Sequence, residues 1–327
     1  MDNNAKIRPL YLAEILYEMT DEEHCLSTPE IISILKEKYN IDGYRTTIAS
    51  DIELLKAFGL DIETVKSKSN NYHLLSREFD IPEIKLLIDA VASSKFITEK
   101  KSNELVAKLG KLASVHQSNV LKRNVMPEGR IKSDNENVYY IIDTINEAIN
   151  TEKKISFQYF SYNARKEQKP KHNGEVYIFS PYYLVWNGDY YYMVGFSDKH
   201  NEIGSFRVDR IIKAPQIMED EAISAPDDFD INEYINVNFR MFSGDQETVE
   251  LICDNSVMDA MIDRFGDELQ TFANDMESFR AVVNASISRV FFSWVFGFDG
   301  KVKIKSPDNV RNEYLKMIKK VYEDEVK

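Results

Sequence analysis

The sequence predicts a multidomain α+β chain: a helical head closing on a hairpin, a helical linker, a small β-barrel and a C-terminal α/β sandwich. Three observations predict this. Apolar residues recur at helical spacing over roughly the first 150 residues. The pattern turns to strict alternation at Ile155-Ser156-Phe157-Gln158-Tyr159-Phe160. From residue 244 onward strand-like and helix-like segments take turns. The length of 327 residues suits two or three domains, and the 43% hydrophobic content suffices for packed cores.

In the head, Ile7, Leu10, Tyr11, Ile15 and Leu16 mark a first helix, and Thr20-Asp21-Glu22-Glu23 ends it. Ser27 with Glu30 is a capping-box pair, and Pro29 suits the first turn of a second helix carrying Ile31, Ile32, Leu35 and Tyr39. Asn40-Ile41-Asp42-Gly43 is a turn. A third helix from Arg45 to Phe58 turns Ile48, Ile52, Leu55 and Phe58 inward and stops at Gly59. Two short strands, Asp61–Val65 and Tyr72–Leu75, flank the polar tip Lys66 to Asn71. Three helices and a hairpin in this order make a winged helix-turn-helix over residues 1–76.

Residues 77–137 read as a helical linker. Ile84, Leu87, Ile88, Val91 and Ala92 form one apolar face, and Leu105, Leu109 and Leu112 another. Lys122 to Asn135, broken by Pro127 and Gly129, is a loop. The basic stretch Lys95, Lys100, Lys101, Lys108 and Lys111 reads first as a solvated helix face. A helix from Val138 to Asn150 opens a barrel domain, residues 138–220, with strands at 155–160, 175–179, 182–186, 190–196 and 205–208 and a turn at Asn187-Gly188. An acidic linker, 221–243, leads to a C-terminal domain, 244–327, whose strands are 249–253, 281–287 and 301–305 and whose helices are 258–265, 291–296 and 310–323.

A helix-turn-helix reads the major groove with the N-terminal residues of its second helix. Here these are Tyr44, Arg45, Thr46 and Thr47, with Ser50 one turn on, and the wing adds Lys66 and Lys68. The expected partner is a double-stranded DNA operator. Against this stands the charge: the chain carries −13, and residues 1–75 hold 8 Lys and Arg against 13 Asp and Glu. Such a balance excludes a non-specific nucleic-acid coat but leaves room for local charge on one face. No GxxxxGK[ST], HExxH or GxSxG motif occurs, so no enzyme is expected. Cys25 and Cys253 lack metal spacing and the five histidines are scattered, so no metal or cofactor is expected. No apolar run of about 18 residues exists and Met1–Lys6 holds no signal core, so a cytoplasmic protein is expected.

Several stretches carry a resemblance. Tyr39–Leu55 and Leu87–Ile97 resemble the head and linker of the bacterial WYL-domain transcription regulators. Pro181–Trp186, Tyr191-Tyr192-Met193 and Phe206–Ile211 are similar to the three blocks of the WYL domain itself. The family's name triplet stands here as Tyr191-Tyr192-Met193. Trp294–Phe298 and Pro307–Arg311 resemble the C-terminal extension domain. The resemblance implies an Sm-like or SH3-like barrel that senses an effector, in several relatives a nucleotide or single-stranded nucleic acid. It also implies a homodimeric, ligand-responsive transcription regulator, with repression the favoured sign. The residues that suit such an anion are Arg207 and Arg210 for charge and Tyr159, Tyr182 and Tyr192 for stacking or hydroxyls. Alternation on a strand turns Arg207 and Asp209 one way and Phe206 and Val208 the other. A competing arrangement pairs Asp209 with an arginine and makes the tyrosines core. The alternative function is a scaffold with a degenerate head that binds no DNA.

Overall fold

The computed structural model describes residues 3–66, 68–123, 132, 135–242 and 244–326. The loop expected between Lys122 and Asn135 lies mostly outside them. The chain divides into two units, Met1–Glu136 and Asn137–Lys327.

The first unit begins with α1 (Asn3–Met19), the short β1 (Leu26–Ser27), α2 (Thr28–Tyr39), α3 (Arg45–Phe58) and the hairpin β2 (Ile62–Val65) and β3 (Asn71–Leu74). The three strands pair antiparallel in the order β1-β3-β2. The local signals act as expected. The Ser27 N–H donates to Glu30 Oε2 at 2.8 Å, and Glu30 N–H reaches back to Ser27 Oγ at 3.5 Å. Gly59 ends α3 at φ 114°, a conformation only glycine adopts freely. One core collects Leu12, Ile15 and Leu16 of α1 with Ile31, Leu35, Ile48, Ile52, Leu55, Tyr72 and Leu74. Of the face expected on α1, Tyr11, Ile15 and Leu16 pack in this core, whereas Ile7 and Leu10 are exposed, and so is Phe58 at the end of α3.

Three further helices follow, α4 (Ile81–Ser93), α5 (Glu99–Leu109) and α6 (Val115–Arg123). They bury Ile84, Ile88, Ala113 and Leu121, whereas Leu87, expected inside, is exposed. Arg77 fastens the chain before α4 onto α1, its Nη2 donating to the carbonyls of Tyr17 at 3.0 Å and Thr20 at 2.5 Å.

The second unit opens with α7 (Val138–Asn150), which lays Ile141, Ile145 and Ala148 against a sheet. The strands are β4 (Lys153–Gln158), β7 (Val176–Asn187), β8 (Tyr190–Ser197), β9 (Glu202–Arg207) and β10 (Gln216–Glu221), with the small hairpin β5 (Phe160–Tyr162) and β6 (Gln168–Pro170) inserted after β4. The five main strands run β10-β4-β7-β8-β9, all antiparallel. A closed barrel was expected. Among the described residues no ladder joins β9 to β10, so the sheet is open. A 3₁₀ turn, Val208–Arg210, carries the chain from the β9 edge toward the other edge. There Tyr159 bridges Ile211, and Ile212 N–H donates to Gln158 O at 3.0 Å. The two strands expected on either side of Pro181 are one strand, β7. A register shift between Pro181 and Tyr183 absorbs the proline, which cannot donate to a ladder. The β7–β8 turn centres on Gly188, at φ 57°, and Asp189, one residue later than expected.

The stretch 221–243, expected to be a linker, is folded. It contains α8 (Ile231–Val237), capped by Asp230, and a 3₁₀ turn at Phe239–Met241. Tyr234 and Met241 pack with Tyr192 and Val194, which explains why an acidic segment is held down. The remainder is β11 (Gln246–Asp254), α9 (Met258–Phe265), β12 (Gln270–Ala273), β13 (Ser278–Ser286), α10 (Arg289–Phe296), β14 (Val302–Ser306) and α11 (Asp308–Glu325). Its sheet order β12-β13-β11-β14 interleaves two strand–helix–strand crossovers over one core, which holds Leu251, Phe279, Phe291 and Val295.

Candidate nucleic-acid and effector sites

In the first unit, the core-facing stripe of α3 leaves its N-terminal end to solvent. Tyr44 is 71% exposed, and Arg45, Thr46 and Ser50 are exposed with it. Thr47 is half-buried and already committed: its hydroxyl accepts from Tyr44 N–H at 2.9 Å and donates to Tyr44 O at 2.8 Å. The Arg45 guanidinium donates to Lys68 O at 3.1 Å, tying the start of α3 to the hairpin tip. Lys66 and Lys68 are exposed on that tip. Six of the seven residues predicted for DNA are therefore exposed on two adjoining segments, Arg45 joining the two, and Thr47 acts as a cap.

Charge pairing sharpens this surface. Arg8 holds Asp51 at 2.6 Å, Lys36 holds Asp42 at 2.7 Å, Lys38 holds Glu18 at 3.2 Å and Lys56 holds Glu53 at 3.1 Å. Among the described residues, no carboxylate pairs with Arg45, Lys66 or Lys68. The head is acidic in sum, and the end of α3 with the hairpin tip gathers three of its cations free of such pairing among the described residues.

In the second unit, Arg207 stands at the end of β9. Its Nε and Nη2 donate to the two oxygens of Asp209 at 3.1 and 2.7 Å, a bidentate fork. Its guanidinium lies 3.2 Å from the ring centroid of Tyr190. Burial opposes the charge, but the Asp209 bond outweighs it and raises the Arg207 pKa further. Arg210, half-buried three residues beyond, has no carboxylate partner among the described residues. The Tyr159 hydroxyl accepts Arg207 N–H at 3.2 Å, and burial pushes its pKa up to about 12. Lys171 Nζ sits 5.5 Å from the centre of the Tyr159 ring.

Residues 140–216 match the family model described as WYL domain. The chain carries a WYL domain. The match runs from within α7 to the first residue of β10 and includes both arginines. Among solved structures, the chain is similar to proteasome accessory factor B/C (PafBC) of Arthrobacter aurescens, at 17% identity and a TM-score of 0.30. That alignment covers 94% of this chain and 45% of the PafBC chain, so this chain spans less than half of that protein. It is also similar to a structure titled as a CRISPR Cas-related protein, at 13% identity and a TM-score of 0.37, over 99% of this chain and 93% of the other. No curated protein matches the sequence significantly.

Within the WYL domain, the predicted effector residues are only partly brought together. Tyr159, Arg207 and Arg210 are neighbours, and Tyr192 is the ladder partner of Arg207. Tyr159 and Tyr192 are 8% and 9% exposed, so neither presents a free ring face. They serve different cores. Tyr159 packs with Phe157, Tyr177 and Phe179, whereas Tyr192 packs with Val194 and Tyr234 on the other face of β8. Tyr182 is elsewhere: its hydroxyl donates to Ser224 O at 3.1 Å, and its ring meets Phe229. Sequence reasoning missed Tyr190. The signal was present, since alternation on β8 puts Tyr190 on the face of Tyr192, diagonal to Arg207.

Proposed function

We propose that this chain is a ligand-responsive transcription regulator whose residues 3–75 form a winged helix-turn-helix reading double-stranded DNA. The observation that carries this reading is the placement of Arg45, Lys66 and Lys68. They are exposed cations of an acidic head that pair with no carboxylate among the described residues, gathered at the end of α3 and the hairpin tip. Tyr44, Thr46 and Ser50 supply neutral donors and acceptors beside them. The WYL domain is the sensor, taking a nucleotide or single-stranded nucleic acid through Arg207 and Arg210. Neither site asks for catalysis, and the protein acts by binding alone, as a homodimer on an operator with repression as the favoured sign. Effector and operator are coupled if the effector binds one dimer geometry better than the other.

The test is a gel shift on the DNA upstream of the protein's own gene. Arg45→Ala should weaken binding by ~1–3 kcal/mol, about 5- to 150-fold. If neither wild type nor variant retards any fragment, the head is a scaffold element and the regulator reading fails. For the sensor, a labelled oligonucleotide is titrated at low salt against wild type and Arg210→Ala. Absence of binding to any single strand removes nucleic acid as the effector.

A further inference from the structure

We infer that the second unit holds another ligand site, away from the Arg207–Arg210 cluster, for a small organic anion with a planar ring. It is a cavity of about 390 Å³ bounded by the β7–β8 turn, the segment after α8, α9 and α10. Asn187, Asn238, Phe239, Arg240, Arg264 and Trp294 shape it, and no Asp or Glu is among its lining residues. In a chain with 54 acidic and 41 basic residues, two arginines facing a cavity without a carboxylate call for an anion.

The two arginines are held in different ways. The Arg264 guanidinium lies 4.0 Å from the centre of the Phe239 ring and 5.5 Å from that of Phe265. Its Nη2 donates to Asn236 O at 2.7 Å, which fixes the fork; among the described residues its other N–H groups have no hydrogen-bond partner. No carboxylate pairs with it among the described residues, and burial works against its charge. Arg240 is exposed at the mouth. Its backbone is left-handed at φ 50°, and Met241 follows at φ 61°. Two successive non-glycine residues in that region need a surrounding that holds them. It is supplied by the buried Met241 side chain and by Ser205 Oγ donating to Met241 O at 3.1 Å. Trp294 is half-buried beside Phe239, with ring centroids 5.4 Å apart. The cavity thus offers fixed positive charge next to flat apolar surface, the combination that selects a charged ring over a neutral ring or a bare ion.

The chain has two tryptophans, Trp186 and Trp294. Replacing exposed Trp186 by Phe leaves Trp294 as the only indole, so its emission reports the cavity directly. The full-length Trp186→Phe protein is titrated with benzoate, benzamide and acetate, and with adenosine 5′-monophosphate and adenosine. In at least one of the two ring pairs, the charged member should quench Trp294 with an affinity about tenfold or more above its neutral partner, and acetate should not quench. Arg240→Ala and Arg264→Gln should each remove most of that preference, and Arg210→Ala should keep it. If Arg264→Gln does not fold, Arg240→Ala decides, because its side chain is exposed. Equal quenching by charged and neutral rings, no quenching by either, or an unchanged preference in Arg240→Ala overturns the proposal. Loss of the preference in Arg210→Ala also overturns it, by assigning the binding to the other cluster.

Discussion

Replacing Asp21 by Asn should loosen the first unit by an amount that depends on pH. Asp21 is 1% exposed in the loop after α1. One oxygen accepts from Glu23 N–H at 3.0 Å and His24 N–H at 2.9 Å and contacts His24 Nδ1 at 2.7 Å; the other accepts Ser114 Oγ at 2.5 Å. Burial pushes its pKa up, but together the hydrogen bonds from Ser114, His24 and the loop amides outweigh burial and hold it at about 2, against an ordinary 3.8. At about 1.4 kcal/mol per pKa unit, the ionised group stabilises the folded state by ~2 kcal/mol. The folded pKa is the lower one. The contribution is therefore complete above pH 3.8, falls to about half near pH 3 and vanishes below about 2. Both tryptophans lie in the second unit, so indole fluorescence does not follow this change. Hydrogen exchange by mass spectrometry does. Peptides spanning residues 19–27 and 112–118 should exchange about 30-fold faster in Asp21→Asn at neutral pH, with the difference shrinking at pH 3. Equal exchange at pH 7, or a difference that ignores pH, would refute the reasoning.

Further outcomes are expected. Gly195→Ala should prevent folding of the second unit, because a Cβ there would lie 2.1 Å from Ser180 O and 2.9 Å from Pro181 Cα; soluble protein with native tryptophan emission would contradict this. A thiol reagent should modify exposed Cys25 quickly and leave Cys253 untouched until the protein unfolds, since Cys253 is fully buried and burial pushes its pKa up to about 12. Two thiols reacting at one rate would count against that burial. If the proposed DNA surface is right, Lys66→Ala with Lys68→Ala should reduce the slope of log affinity against log salt by about 2 for each bound head, measured on one duplex by fluorescence anisotropy. An unchanged slope would remove the hairpin tip from the interface.

Much of the fold was legible where local chemistry acts alone. Ser27 with Glu30, Pro29 and Gly59 set helix ends through backbone groups that any helix must satisfy. The strands β7 and β8 declared themselves by aromatic alternation. The misses share one cause, which is context. The strand β10, Gln-Ile-Met-Glu-Asp-Glu, has no buried residue and no alternating pattern, and it exists because β4 offers it a ladder. The helix α8 reads as linker until Tyr234 is seen filling a space beside Tyr192. Ile7, Leu10 and Phe58 fit the helical period yet stay outside, because period alone does not say how wide the covered stripe is. At the sensor, the Arg207–Asp209 pair was readable from its spacing. The burial of Tyr159 and Tyr192 in separate cores was not, because both faces of β8 are covered.

The proposed DNA surface and the proposed Arg207–Arg210 site follow one electrostatic rule. A cation with a carboxylate already in its fork must release that partner before it can hold an anion. Asp209 is 8% exposed, and leaving it buried and unpaired would be costly. Arg207 is therefore poorly placed to be the first contact of an effector. Arg210 pairs with no carboxylate among the described residues, and its charge acts on the Tyr159 hydroxyl that accepts Arg207 N–H. In the head the same logic selects Arg45, Lys66 and Lys68 over Arg8, Lys36, Lys38 and Lys56. With so few free cations, each head should hold DNA modestly and with steep dependence on salt, which suits a contact that a sensor has to release.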